Sequence, residues 1–262
     1  MRIVFFGATE FGHHCCELLF EMGESVVGII SIPQEFTISY SSSPVRNVTY
    51  RGFEDLAAKY DVPLVYANQS AGTDYFEELR SWKPDFGLVI GWYYLVPTAV
   101  RQLFPRGIAA VHASLLPKYR GNAPLVWAIL NGERETGVSL FYLDRGVDTG
   151  DIIAQRVFPI EHHDTIKTVY EKATATSLEV LRETLPLIRA GTAPRTPQDH
   201  TLATQFPARR PEDGLIDWTQ SPENLRNFIR AQTKPYPGAF TIINGKKITI
   251  WDADIHEVGD AR

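Results

Sequence analysis

The strongest constraint on the fold is an alternation of pattern in the first half of the chain. Short apolar runs at residues 3–6, 26–32, 63–66, 86–90 and 108–112 are rich in β-formers. Between them, residues 11–22, 53–60 and 75–82 carry apolar side chains at helical spacing. Runs without polar alternation suit strands covered on both faces, and their alternation with helices predicts βαβ units. The expected fold class is therefore α/β: a Rossmann-like, mostly parallel sheet with helices on both faces. Such sheets bind ligands beyond the carboxyl ends of their strands.

The second half is organised differently. Residues 138–142 and 152–158 read as two further strands, followed by a long helix over 165–190 that Gly191 can cap. This closes an expected catalytic domain at residues 1–190. A stretch rich in Pro and Thr, 191–213, reads as a linker. Residues 214–262 then form a small C-terminal α+β subdomain, with a helix over 217–233 and a hairpin turning at Asn244-Gly245. Residues 33–50 are rich in serine, lack periodicity and read as a surface loop. There is no internal repeat.

Composition removes several function classes. With 262 residues, 44% of them hydrophobic, the chain can bury a large core and is not a disordered tail. Its 26 Lys+Arg against 31 Asp+Glu give a net charge of −5, which predicts no binding of bulk nucleic acid. No apolar run reaches the ~18–20 residues of a membrane span. Met1 leads at once into the first strand, so no signal peptide is expected and the expected location is the cytoplasm. Cys15 and Cys16 are adjacent, which suits neither a zinc knuckle nor a redox pair; a packed, inert pair is expected. The adjacent pairs His13-His14 and His162-His163 suit metal ligation poorly and read as solvated surface. No metal is expected.

Gly7 to Gly12 follows the first strand, yet it has neither G-x-G-x-x-G spacing nor a P-loop Lys. It reads as a structural turn, with no support for NAD. The informative stretch is 107–150. His112 closes a strand and is followed by Ala113-Ser114-Leu115-Leu116-Pro117-Lys118-Tyr119-Arg120-Gly121-Asn122-Ala123-Pro124. Downstream, Asp144-Arg145-Gly146-Val147-Asp148-Thr149-Gly150 places two carboxylates in a glycine-punctuated loop. An imidazole and a carboxylate in loops converging above one sheet edge suit acid–base chemistry.

These residues resemble the family that formylates amines from formyl-tetrahydrofolate, which includes methionyl-tRNA, glycinamide ribonucleotide and sugar-nucleotide N-formyltransferases. The resemblance rests on His112, Ser114 to Pro117, Tyr119 to Gly121, Ala123-Pro124, Asp148-Thr149-Gly150 and Glu135 to Val138. It continues through Arg209 to Gly214, Ile216-Asp217-Trp218 and Pro235 to Phe240, and so covers nearly the whole chain. It implies N10-formyltetrahydrofolate as donor and co-substrate, with His112 handling protons and Asp148 orienting and tuning it. By position, Trp92, Tyr93 and Leu95 with Leu143, Asp144 and Val147 would hold the folate. Ser114, Arg120, Gly121, Asn122, Arg209 and Arg210 would hold the acceptor, the arginines on a pyrophosphate.

One departure stands out. The family's Asn two residues before the His is replaced by Ala110, whose methyl group cannot donate to a developing oxyanion. Three origins stay open: an engineered, disabled variant, which the intact surroundings favour; a natural homologue of weak or altered activity; and another donor in the amide's place. The tail most resembles the sugar-nucleotide branch, in particular the domain acting on UDP-4-amino-4-deoxy-arabinose. The implied acceptor is a UDP-, dTDP- or GDP-linked amino sugar used in lipopolysaccharide or other glycan synthesis, and the implied assembly a homodimer. Against tRNA stand the mild acidity and Arg46 as the one basic residue of 33–50. A methionyl-tRNA or other amine formyltransferase, a formyl-folate hydrolase and a silent folate- or nucleotide-binding homologue are the alternatives.

Overall fold

The structure, a computed structural model, describes residues 1–38, 41, 43–68 and 74–256. In chain order its strands are β1 (Arg2–Phe6), β2 (Ser25–Ser31), β3 (Glu35–Phe36), β4 (Val45–Arg46), β5 (Leu64–Tyr66), β6 (Phe86–Val89), β7 (Ile108–His112), β8 (Arg120–Gly121), β9 (Glu135–Tyr142), β10 (Ile152–Pro159), β11 (Gln205–Phe206), β12 (Ala239–Ile243) and β13 (Lys246–Ile250). The helices are α1 (Glu10–Glu21), α2 (Glu54–Tyr60), α3 (Phe76–Ser81), α4 (Thr98–Arg101), α5 (Pro124–Leu130), α6 (Ile166–Ala190) and α7 (Pro222–Arg230). Seven strands form the central sheet in the order β10-β9-β7-β6-β1-β2-β5. The β7-β6-β1-β2-β5 portion is parallel, while β9 and β10 pair antiparallel at one side.

The strands lack polar alternation because both faces of the sheet are covered. On β1, Ile3 and Phe5 join one core while Val4 and Phe6 join the other, all four fully buried. Burying each such side chain is worth roughly 1.5–3 kcal/mol, which fixes the strand's register. The turn after β1 sets the start of α1. Thr9 caps α1 by accepting from the Gly12 N–H at 3.1 Å. A Cβ on Gly12 would sit 2.5 Å from the Ile90 carbonyl oxygen, so glycine lets α1 approach the end of β6. Cys15 and Cys16, on α1, are fully buried, the packed pair expected.

Several expectations need correction. His13 is buried rather than solvated: it lies on the core face of α1 with Cys16, while its neighbour His14 is exposed. The loop at 33–50 contains the short antiparallel β3–β4 ladder and buries Phe36 and Asn47; its residues 39, 40 and 42 lie outside the described ones. The last helix starts at Pro222, not at 217. Asp217 instead closes a turn by accepting from the Thr219 N–H at 3.0 Å, and Ser221 caps the helix proper. Short α4 and α5 have no counterpart in the sequence reading. The stretch read as a linker is packed onto the domain: β11 pairs with β8, and Gln198 is buried. Its composition gives irregular chain, but its peptide groups find partners in the fold rather than in water.

Candidate active site

β7 delivers the centre of the site. Its side chains alternate between the two cores, so Ala110 and His112, two residues apart, share one face. Ala110 pairs with Val89 and Phe141, whereas His112 reaches past the end of β6. The turn after it is fastened from below. The Ser139 hydroxyl donates to the Ser114 carbonyl at 2.6 Å, and Gln155 donates to the Leu116 carbonyl at 2.8 Å. This places the Tyr119 carbonyl 2.7 Å from His112 Nε2. A carbonyl only accepts, so Nε2 carries the proton and Nδ1 is the basic nitrogen.

Asp148 faces that nitrogen, with Oδ2 3.7 Å from His112 Nδ1, and both side chains are largely buried. The separation exceeds a direct hydrogen bond but leaves the carboxylate able to balance an imidazolium. The same Oδ2 accepts from the Gly121 N–H at 2.9 Å. Asp148 stands at φ 55°, a left-handed backbone that a non-glycine residue adopts only when its surroundings impose it. Nearby, burial and a hydrogen bond to Glu133 push the Tyr119 hydroxyl up to about 12, so it stays a donor.

Both residues line a cleft of about 1220 Å³ at the carboxyl edge of the sheet. Trp92, Tyr93, Leu95, Leu143 and Val147 form its side toward the loops after β6 and β9. Gly121 and Asn122 line it beside Ala110 and His112. Five predicted residues are absent from its lining. Ser114 is buried and donates to the Lys118 carbonyl at 2.7 Å. The buried Arg120 guanidinium donates to Gln198 and to His200 Nδ1. Arg209 donates to the Asp213 carbonyl and to Gln232 and lies over the Trp127 ring, while burial lowers its affinity for its proton. Arg210 is absent from the lining, and its N–H donates to the Asp213 carboxylate. Asp144 turns its carboxylate onto the Gly146 N–H and the Thr149 hydroxyl, outside the main cleft.

The sequence reading missed the part of the lining that α6 supplies. Lys167, Tyr170, Thr174 and Leu178 project from α6 into the cleft, beside Phe11 of α1 and Phe206 of β11. Their spacing of three and four residues marks one face of a helix, a signal present in the sequence without a motif to flag it.

A mostly parallel sheet with a His–Asp pair lining a cleft at its carboxyl edge gives a protein of the α/β class a place for acid–base chemistry. The chain belongs to the formyl transferase family: residues 1–185 match the formyl transferase family and 209–261 its C-terminal domain. It is 35% identical to the methionyl-tRNA formyltransferase of Desulforamulus reducens over 255 residues, 97% of this chain and 78% of that protein. The fold matches a solved Helicobacter canadensis N-formyltransferase in complex with folinic acid and dTDP-3-aminofucose, with a TM-score of 0.71 at 22% identity, covering 94% of this chain and 85% of that one. It also matches methionyl-tRNA formyltransferase from Clostridium thermocellum, with a TM-score of 0.68 at 20% identity over 98% of this chain and 94% of that one.

The formyl donor is N10-formyltetrahydrofolate. The residues present fit it. Trp92 Nε1 is buried with no hydrogen-bond partner among the described residues, an orphan donor in the wall of an otherwise apolar slot formed by Leu95, Leu143 and Val147. A flat heteroaromatic ring with polar edges suits such a slot. Among the described residues, no helix is long and apolar enough to cross a membrane.

Proposed function

We propose that the protein formylates the α-amine of methionyl-tRNA, with His112 and Asp148 as its acid–base pair. The observation that carries the reading is an apolar patch on the α6 side of the cleft. Phe11, Ala175, Leu178, Phe206 and Pro207 supply it among the polar Lys167, Tyr170, Glu171 and Thr174, and an unbranched thioether side chain suits such a patch. The named acceptor of the Desulforamulus reducens relative agrees with it. The arginine pair that would have favoured a pyrophosphate lies outside this lining.

Bound formyl-folate supplies an electrophilic formyl carbon. The chain's own part is to orient the amine and take its proton. His112 Nδ1 accepts that proton while Nε2–H stays on the Tyr119 carbonyl, Asp148 balances the imidazolium, and the proton passes on to the folate nitrogen as its bond to the formyl carbon breaks. At Ala110 no side-chain donor meets the developing oxyanion, and loss of one such donor costs on the order of 10²–10³ in rate. Slow turnover is part of this reading.

A second reading, transfer to a UDP-, dTDP- or GDP-linked amino sugar, is favoured by the net charge of −5 and by Arg46 as the one basic residue in 33–50. Assembly as a homodimer is supported in either case by the apolar hairpin β12–β13, where Ile242, Ile243 and Ile248 are 59%, 52% and 44% exposed. The test is to incubate protein and formyl-folate with methionyl-tRNA and, separately, with a panel of amino-sugar nucleotides, reading the products by mass spectrometry. N-formylmethionyl ester is expected; formylated sugar with no formylmethionine overturns the choice of acceptor.

A further inference from the structure

Asp148 is held from two sides, and one of the holding groups comes from the stretch that reads as a linker. Gln198 is buried, and its amide nitrogen donates to the Asp148 carbonyl at 2.9 Å and to the Gly150 carbonyl at 2.7 Å. Both amide hydrogens are thereby used on the backbone that flanks Thr149. Its oxygen accepts from Arg120 Nη2 at 2.6 Å. The same nitrogen of Arg120 lies 2.9 Å from His200 Nδ1, which must offer its lone pair because a guanidinium only donates. Arg120 precedes Gly121, whose N–H holds the Asp148 carboxylate. The segment 120–121 therefore grips Asp148 twice, directly at the carboxylate and through Gln198 at the carbonyl.

We propose that Gln198 is a positioning residue for formyl transfer, which clamps the left-handed Asp148 backbone and so keeps its carboxylate opposite His112. The proposal rests on the reading of His112 and Asp148 as the acid–base pair. It also gives the Tyr-Arg-Gly part of the motif a role: Arg120 serves the clamp from inside the fold. Without the two N–H donations the carbonyls of Asp148 and Gly150 lose their buried partners, and the strained backbone can relax toward negative φ. The carboxylate then moves relative to Nδ1, and displacements near 1 Å can cost on the order of 10² in rate.

The test compares Gln198→Glu, Gln198→Asn and Asp148→Asn in the full-length protein. Gln198→Glu keeps an acceptor for Arg120 but removes both N–H donors; Gln198→Asn keeps the amide on a shorter arm and adds no buried charge. Three readouts are taken: kcat and the KM for formyl-folate, the melting temperature, and the 15N resonances of the His112 imidazole in the free protein. For a folded Gln198 variant, kcat should fall about 10- to 100-fold with KM within about twofold. Its Nδ1 resonance should move in the same direction as in Asp148→Asn. A Gln198→Glu protein that fails to fold leaves Gln198→Asn to decide by the same readouts. If the folded variant keeps kcat within twofold and the imidazole signals of the wild type, while Asp148→Asn loses transfer, the clamp is overturned and the acid–base pair stands. If Asp148→Asn itself keeps full transfer, both are overturned.

Discussion

Among the described residues are two histidine–aspartate pairs, and they are built in opposite ways. His13 on α1 places Nε2 2.9 and 3.1 Å from the two oxygens of Asp55. Partial burial works against that carboxylate, but hydrogen bonds from His13, Arg51 and the Leu56 N–H outweigh it and hold its pKa down at about 2. This pair is closed: the imidazole is packed against Phe53, and both carboxylate oxygens are engaged. His112 and Asp148 stand 3.7 Å apart in a cleft, with no direct hydrogen bond on Nδ1 among the described residues and the aspartate held at positive φ by neighbouring amides. A satisfied pair contributes stability; a pair kept slightly apart has capacity left for a proton that arrives with substrate. Residue types alone do not separate the two.

His112→Ala bears hardest on this contrast. It should lower formyl transfer by about 10³-fold without loss of fold, as measured by initial rates and circular dichroism. Retention of transfer would put both pairs in the structural class. Ala110→Asn sharpens the contrast from the other side, since it adds an amide on the same face of β7 as His112. Transfer should rise at least about tenfold; an unchanged rate in a direct assay would remove the oxyanion from this position. Asp55→Asn should have the smallest effect, a loss of about 1 kcal/mol in urea unfolding at neutral pH, discounted because the carboxylate is half exposed. Transfer should stay within twofold. Asp55 is depressed in the folded state, so its contribution is present above the unfolded carboxylate range and is lost as pH falls from about 4 toward 2. Wild type and variant should therefore converge in stability at the acid end; a gap that persists there contradicts the assignment.

The parallel strands were legible in the sequence because each is covered on both faces, which leaves uninterrupted apolar runs such as Ile3 to Phe6. His112 and Asp148 were legible because their loops end on one sheet edge. Side-chain direction was not. Ser114, Arg120 and Arg209 have the right chemistry for a ligand, yet the hydrogen bonds each of them makes are to groups of the protein itself. A motif specifies residue type and spacing, and the same donor can serve a substrate or a carbonyl of the fold. Gln198 was invisible for the converse reason. It lies in a stretch without periodicity, where only the three-dimensional path of the chain brings an ordinary amide beneath the site.

The buried cysteine pair has a practical consequence. Cys15 and Cys16 are fully enclosed, and burial pushes both thiols well above their usual range, so the native protein offers a reagent neither access nor thiolate. They sit on α1, the helix that also brings Phe11 and His14 to the cleft. Alkylation can proceed only when this helix leaves the sheet, so its rate counts those departures. The chain carries its own clock for the opening of one wall of the cleft, readable without a substrate and without an introduced label.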